Sequence, residues 1–183
     1  MIPADQELLE LALRGDEGAF AALYRLRQAA VYRFALHMSG NSAVAEDVTQ
    51  ETFLGLLTEG RRYDAARGSL RSFLFGMARN FVMRRVTRES GRSRDEPLEE
   101  AADGSDLLRD LTRRETIEEV RRAVLSLPPV YRETVVLCDL GDASYEEAAV
   151  ALDCPVGTVR SRLSRARAML ARKLSGVRGT CNV

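Results

Sequence analysis

Along most of this chain the hydrophobic positions recur at spacings of three and four, the period of a helix buried on one side. Phe20, Leu23, Tyr24, Val31, Phe34, Ala35 and Met38 form one such stripe, after a shorter amphipathic segment over residues 5–14. Asp16 stands where an N-cap belongs, and Ser39-Gly40-Asn41-Ser42 ends the stripe, with Ser42 expected to cap the next helix. That helix runs to about Glu59, with Val44, Val48, Phe53, Leu56 and Leu57 on its apolar side. Its polar side carries Glu46, Asp47, Gln50, Glu51 and Thr52. An arginine-rich loop, residues 60–69, precedes a long helix predicted over residues 70–88.

The periodicity fails from Glu89 to about Asp110, where Gly91, Pro97 and Gly104 interrupt a polar, acidic stretch of the kind that forms a flexible tether. Beyond it, Ile117, Val120, Val124 and Leu127 mark another amphipathic helix, stopped by Pro128-Pro129. A further helix follows from Val130 to Leu140 and ends at Gly141.

The pattern is sharpest between Ser144 and Leu174. Ser144-Tyr-Glu-Glu147 has the spacing of a capping box, in which a hydroxyl and a carboxylate satisfy open backbone N–H groups. Ala148, Ala149 and Leu152 give this short helix an apolar side, and Asp153-Cys154-Pro155 breaks it. Val156, Val159, Leu163, Ala166, Leu170 and Leu174 then share one stripe, while the other faces bear Arg160, Arg162, Arg165, Arg167, Arg172 and Lys173. A short helix, a tight turn and a helix with a cationic face is the layout of a helix-turn-helix, whose second helix fits the major groove. Arginine there donates two hydrogen bonds to guanine or pairs with phosphate. Thr158 and Ser161 supply hydroxyls, and Gly157 permits close approach of the backbone. The plainer alternative is a solvated basic helix closing a small bundle.

Charge sharpens this picture. Formal net charge is zero, yet residues 61–94 hold ten arginines against Asp64 and Glu89. Residues 89–119 hold eleven acids against five arginines, and no acid follows Asp153. Such alternating fields suit a polyanionic partner met at two surfaces. Phe73, Phe75, Phe81 and Tyr63 lie among the arginines of the loop and the long helix, a mixture suited to single-stranded nucleic acid. The competing view is that the phenylalanines fill the core, leaving Tyr63 and the arginines more exposed. For the polar stripe of Glu46, Asp47, Gln50, Glu51 and Thr52, protein docking and plain solvation both fit, and by composition solvation is favoured.

Cys138, Cys154 and Cys181 have no metal-ligand spacing and His37 is the only histidine, so no metal or cofactor is expected and a reducing cytoplasm is the expected setting. No signal peptide is visible, and no apolar run approaches the roughly 20 residues of a membrane span. The expected fold is all-α: two small helical domains, residues 1–89 and 113–175, joined by a flexible linker at 90–112 and followed by a tail at 176–183.

Taken together, Asp16-Glu-Gly-Ala-Phe20-x-x-Leu-Tyr24, Ala45-Glu-Asp-Val-Thr-Gln-Glu-Thr-Phe53, Met77-Ala-Arg-Asn80, Leu127-Pro-Pro-Val-Tyr-Arg132 and Cys154-Pro-Val-Gly-Thr-Val-Arg-Ser-Arg162 resemble the motifs of bacterial extracytoplasmic-function sigma factors. The resemblance covers nearly the whole chain outside the tether and the last residues. It implies a sigma region 2 domain and a sigma region 4 domain, no enzymatic activity, and core RNA polymerase as partner through its β′ clamp helices and β flap. Asp47, Gln50, Glu51 and Phe53 would carry the clamp contact. Arg62, Tyr63, Arg67, Arg71, Arg79, Asn80 and Arg84 would read the minus-10 element, with a base flipped into the 63–69 loop. Thr158, Arg160, Ser161, Arg162, Arg165 and Arg167 would read the minus-35 element as duplex. Promoter DNA and an anti-sigma factor complete the implied partners, with no direct membrane insertion and a cytoplasmic location, at the inner membrane where the anti-sigma factor holds it there. The chain departs from the family in lacking a tryptophan near Phe73 and an aspartate near Arg84, and in placing Ser164 where some relatives carry an aromatic.

Two other classes share single features. A self-sufficient repressor or activator uses the same helix-turn-helix but dimerises on a palindrome and needs no basic–aromatic first domain. A recombinase needs a nucleophilic serine or tyrosine on a mixed α/β domain, which the helical periodicity opposes.

Overall fold

The computed structural model describes residues 5–89 and 107–178, all helix, turn or short connection with no strand among them. Among the described residues eight α-helices follow one another: α1 (Asp5–Leu13), α2 (Glu17–Ser39), α3 (Ser42–Glu59), α4 (Leu70–Glu89), α5 (Leu107–Leu125), α6 (Pro129–Val135), α7 (Tyr145–Leu152) and α8 (Val156–Arg178). Most of the tether expected at 90–112 lies outside the described residues, and so does most of the 176–183 tail. Helix α5 begins inside that expected tether, at Leu107.

Local chemistry sets the boundaries. The Asp16 carboxylate accepts from Ala19 N at 2.9 Å and starts α2, and Gly40 ends it in the left-handed region at φ 73°. The cap of α3 is Asn41, one residue before the expected Ser42; its side chain accepts from Val44 N at 3.0 Å. Pro129 occupies the first turn of α6, where its missing N–H has no partner to lose. The helix predicted from 130 to 140 is α-helical only to Val135 and widens into a π turn over Val136–Leu140. The capping box of α7 is complete, with Ser144 Oγ accepting from Glu147 N and the Glu147 carboxylate accepting from Ser144 N, both at 3.1 Å. Asp153 ends α7 at φ 49°.

In the first module α1 to α4 pack around Leu23, Phe53, Leu56, Leu74 and Val82. Tyr24 and Phe20 meet Phe53 with ring centroids 4.7 and 6.4 Å away, and Phe34 meets Phe75 at 5.5 Å. In the second, Val159, Leu163 and Ala166 of α8 are fully buried beneath α6 and α7.

The two modules are in contact in the structure. Their buried residues form one continuous apolar cluster, and α4 lies along α7. A Cβ on Gly76 of α4 would sit 3.5 Å from the Ala151 carbonyl, so the two helices approach with almost no side chain between them. Around this seam, arginines cross to helix ends. Arg121 donates to Gly40 O, and Arg132 to Met38 O at 2.8 Å, both at the C-terminus of α2. Arg71 donates to Gly141 O beyond the π turn. Carbonyls left open at a helix end are natural acceptors for such cations.

Candidate nucleic-acid interface

Pro155 leads into α8, its carbonyl accepting from Thr158 N at 2.8 Å and Val159 N at 3.2 Å. With Val159, Leu163 and Ala166 inward, Arg160, Ser161, Arg165 and Arg167 face solvent, with Thr158 and Arg162 half-buried beside them. A Cβ on Gly157 would meet nothing within 4 Å, so the start of the helix is open to a large partner. The six residues expected at minus-35 thus share α8, but they are not equivalent. Arg162 Nη1 lies 3.6 Å from the buried Glu133 carboxylate. Arg167 makes two bonds to Asp139, at 3.0 and 2.6 Å, and this carboxylate raises its pKa further. The Arg160 guanidinium stands 5.8 Å over the Tyr145 ring. Ser161 donates to Thr158 O at 3.0 Å.

The minus-10 set divides between two faces of α4 and the loop before it. Asn80 and Arg84, four residues apart, line a groove of about 520 Å³ with Glu59, Met77, Phe81 and Met83. Arg84 lies 4.9 Å over the Phe81 ring, and Arg62 reaches Glu59 at the groove's edge at 3.2 Å. Arg71 and Arg79 point the other way, into the seam. Arg79 donates to the Glu133 carboxylate at 2.7 and 3.4 Å, and Arg71 lies 3.6 Å from Glu147. Arg67 is exposed in a turn where Asp64 Oδ1 accepts from Ala66 N. Tyr63, expected to be among the more exposed groups, is half-buried: its ring meets Phe73 at 5.7 Å and its hydroxyl donates to Gly68 O at 3.2 Å. Burial raises its pKa. Phe75 is core, as the competing view held, while Phe73 and Phe81 are partly exposed.

The polar side of α3 forms a ridge with Asp47 and Gln50 exposed and Glu51 half-exposed. Arg85 of α4 holds it, bonding Glu51 at 2.6 and 3.0 Å and lying 3.5 Å from Asp47. The bond from Arg85 lowers the Glu51 pKa. Phe53 is a correction to the expected set: it is 2 % exposed beneath Phe20 and Tyr24, so it seats α3 and presents nothing to a partner.

The sequence pattern does not reveal Glu133, Asp139 and Glu147 as partners of the arginines, or Arg85 as the partner of Glu51 and Asp47. Pairs separated by 28 to 78 positions leave no periodic trace. Only the capping-box role of Glu147 was visible.

An all-helical chain with a helix-turn-helix whose recognition helix exposes a cationic face, next to a second basic–aromatic helix, is a two-module nucleic-acid-binding protein. Residues 23–92 match the Sigma-70 region 2 family and residues 117–170 the Sigma-70 region 4 family. The chain is 36% identical over 174 residues to the ECF RNA polymerase sigma factor SigC of Mycobacterium tuberculosis, covering 91% of each. It is 36% identical over 165 residues to SigE of Mycolicibacterium smegmatis, spanning 63% of that longer protein, and 32% identical over 183 residues to the ECF sigma-E factor of Escherichia coli. Among solved structures it resembles CnrH in complex with the cytosolic domain of CnrY, at TM-score 0.74 and 26% identity over 95% of this chain and 99% of that one. It also resembles RpoE of Bartonella quintana in complex with the anti-sigma factor NepR, at TM-score 0.68 and 26% identity over 85% and 96% of the two chains. The chain belongs to the extracytoplasmic-function RNA polymerase sigma factors, and so is a transcription initiation factor rather than an enzyme. No helix among its described residues is long and apolar enough to cross a membrane.

Proposed function

We propose that the chain guides core RNA polymerase in the cytoplasm to promoters read at two elements. Helix α8 takes the minus-35 duplex in its major groove through Thr158, Arg160, Ser161, Arg162, Arg165 and Arg167. Arg62, Tyr63, Arg67, Arg71, Arg79, Asn80 and Arg84 take the minus-10 strand, with the groove beside Asn80 and Arg84 as its track. The Asp47–Gln50–Glu51 ridge contacts the β′ clamp helices, and the second module contacts the β flap. The observation that carries this reading is the split of α8: Val159, Leu163 and Ala166 are buried while the opposite face offers arginines and hydroxyls to solvent. CnrH, of similar fold, is in complex with the cytosolic domain of CnrY, and the sigma factor RpoE of Bartonella quintana with the anti-sigma factor NepR. We infer an anti-sigma partner for this chain too, which places it at the inner membrane wherever that partner is anchored.

The test adds the purified chain to core polymerase on fragmented genomic DNA of the source organism and maps the 5′ ends of the transcripts. Start sites should share two upstream motifs and vanish when the chain is left out. A palindromic footprint by the chain without polymerase, or start sites unchanged in its absence, would overturn the reading.

A further inference from the structure

Helix α8 has two edges as well as a buried stripe and an exposed face. Arg160 and Arg167 are seven positions apart, close to two helical turns, so both exposed arginines share one edge. Tyr145, the first residue of α7, stands beside that edge. The capping box fixes where α7 begins, and the ring is half-buried against the apolar core. Its position is therefore set from two directions. The Arg160 guanidinium lies 5.8 Å from the ring centroid, within reach of a cation–π contact. Arg167 leaves the ring face to Arg160, because Asp139 holds it with two bonds at 3.0 and 2.6 Å. Tyr145 acts on Arg167 as well, adding to a rise in pKa that comes first from the Asp139 carboxylate. One aromatic side chain thus serves two arginines assigned to the minus-35 duplex, and is itself in no contact set proposed above.

We propose that Tyr145 is a positioning residue for minus-35 recognition: its ring holds the Arg160 guanidinium ready for a base edge. The role rests on the minus-35 assignment of α8 made above. An arginine loose in solvent must be ordered on binding, whereas one already laid on a ring loses less freedom. Guanidinium groups stack flat on aromatic faces, which leaves their in-plane N–H donors for the two acceptors guanine presents in the major groove. Tyr145 need not touch DNA itself. Its ring acts through Arg160, so it governs discrimination at one base pair rather than affinity at large.

The test reads base preference, using the full chain with core polymerase at a promoter taken from the mapped start sites. Each minus-35 base pair is changed in turn, and Arg160→Ala identifies the pair whose preference depends on Arg160. Tyr145→Leu should reduce preference at that pair by about two- to fivefold, the size of an exposed cation–π contact. Preference at the other pairs should hold. Tyr145→Phe, which retains the ring, should match the parent chain at the Arg160 pair. In an Arg160→Ala chain, adding Tyr145→Leu should change nothing further there. In the free chain, NMR should show the Arg160 side-chain protons shifted upfield by the ring current. Tyr145→Phe should keep that shift and Tyr145→Leu should remove it. A loss spread over all pairs, a Phe variant as poor as the Leu variant, additive effects in the double variant, or no ring-current shift would each overturn the role. No start sites from the parent chain would instead sink the minus-35 assignment, and this role with it, whatever the NMR shift shows.

Discussion

Arg165 and Arg167 stand two positions apart on one helix and carry the same charge, yet their surroundings give them different work. Arg167 is tied to Asp139 by two bonds, whereas Arg165 is exposed with no ion pair among the described residues. Replacing Arg165 with alanine should weaken minus-35 binding by the holoenzyme by about 1–3 kcal/mol, the discrimination carried by a good base contact, and leave the melting temperature unchanged. Arg167→Ala should also weaken binding but lower the melting temperature as well, since it removes a brace between the π turn and α8. Filter binding and thermal melts on the two variants separate the cases. Glu51 gives a pH signature. Its bond from Arg85 lowers its pKa below the ordinary 4.5, so the pair's stabilisation is present above that value and is lost as pH falls below it. Because both groups are partly exposed, the pair contributes no more than about 1 kcal/mol. Glu51→Gln should therefore lower the melting temperature slightly at neutral pH, and the difference should shrink as the pH falls below the ordinary carboxylate range.

At the scale of helices, what the sequence displays depends on whether the determinant is local. The capping box at Ser144, the proline at the start of α6 and the stripe of α8 all act within a turn or two, and each is visible in the sequence. Ser144→Ala should cost about 1 kcal/mol by leaving the Glu147 N–H without its acceptor, and melting of the purified chain measures it. The π turn at Val136–Leu140 was not visible, because a five-residue widening keeps the residues in nearly the same apolar order. It closes against Gly141, where an added Cβ would lie 2.9 Å from both the Val136 and Leu137 carbonyl oxygens. Gly141→Ala must shift that backbone, at roughly 1–3 kcal/mol by analogy with overpacked cores. A variant that melts like the parent chain would mean the turn yields freely. Phe53 shows both kinds of signal at one residue: its place on the apolar side of α3 pointed to burial and its place in a docking motif to a contact, and the packing of Phe20 and Tyr24 around it bears out the first.

Contacts between the modules carry no local mark at all. Gly76, Ala151 and Ala148 are small residues on helices that look unremarkable alone, and Arg79 and Glu133 are separated by a tether that reads as freedom. The consequence for the whole molecule turns on Arg132. Its guanidinium is mostly buried, which lowers its pKa, and it donates across the seam to Met38 O and within its own module to Leu125 O and Leu127 O. Arg132 thus closes the C-terminal ends of α2 and α5 together, and carbonyls of both modules lose their donor if it is removed. Charged donors to carbonyls contribute about 1.5–3 kcal/mol each, so Arg132→Leu should destabilise by several kcal/mol at most, less whatever water regains at the opened ends. The more telling result is in the shape of the transition. With one shared core the parent chain should unfold in a single step, with fluorescence and circular dichroism tracing the same curve. In Arg132→Leu the two probes should separate, because the modules then melt on their own. Coincident curves in the variant would show that the α4–α7 seam alone couples them, and separate curves in the parent chain would show that the seam is too weak to couple them at all.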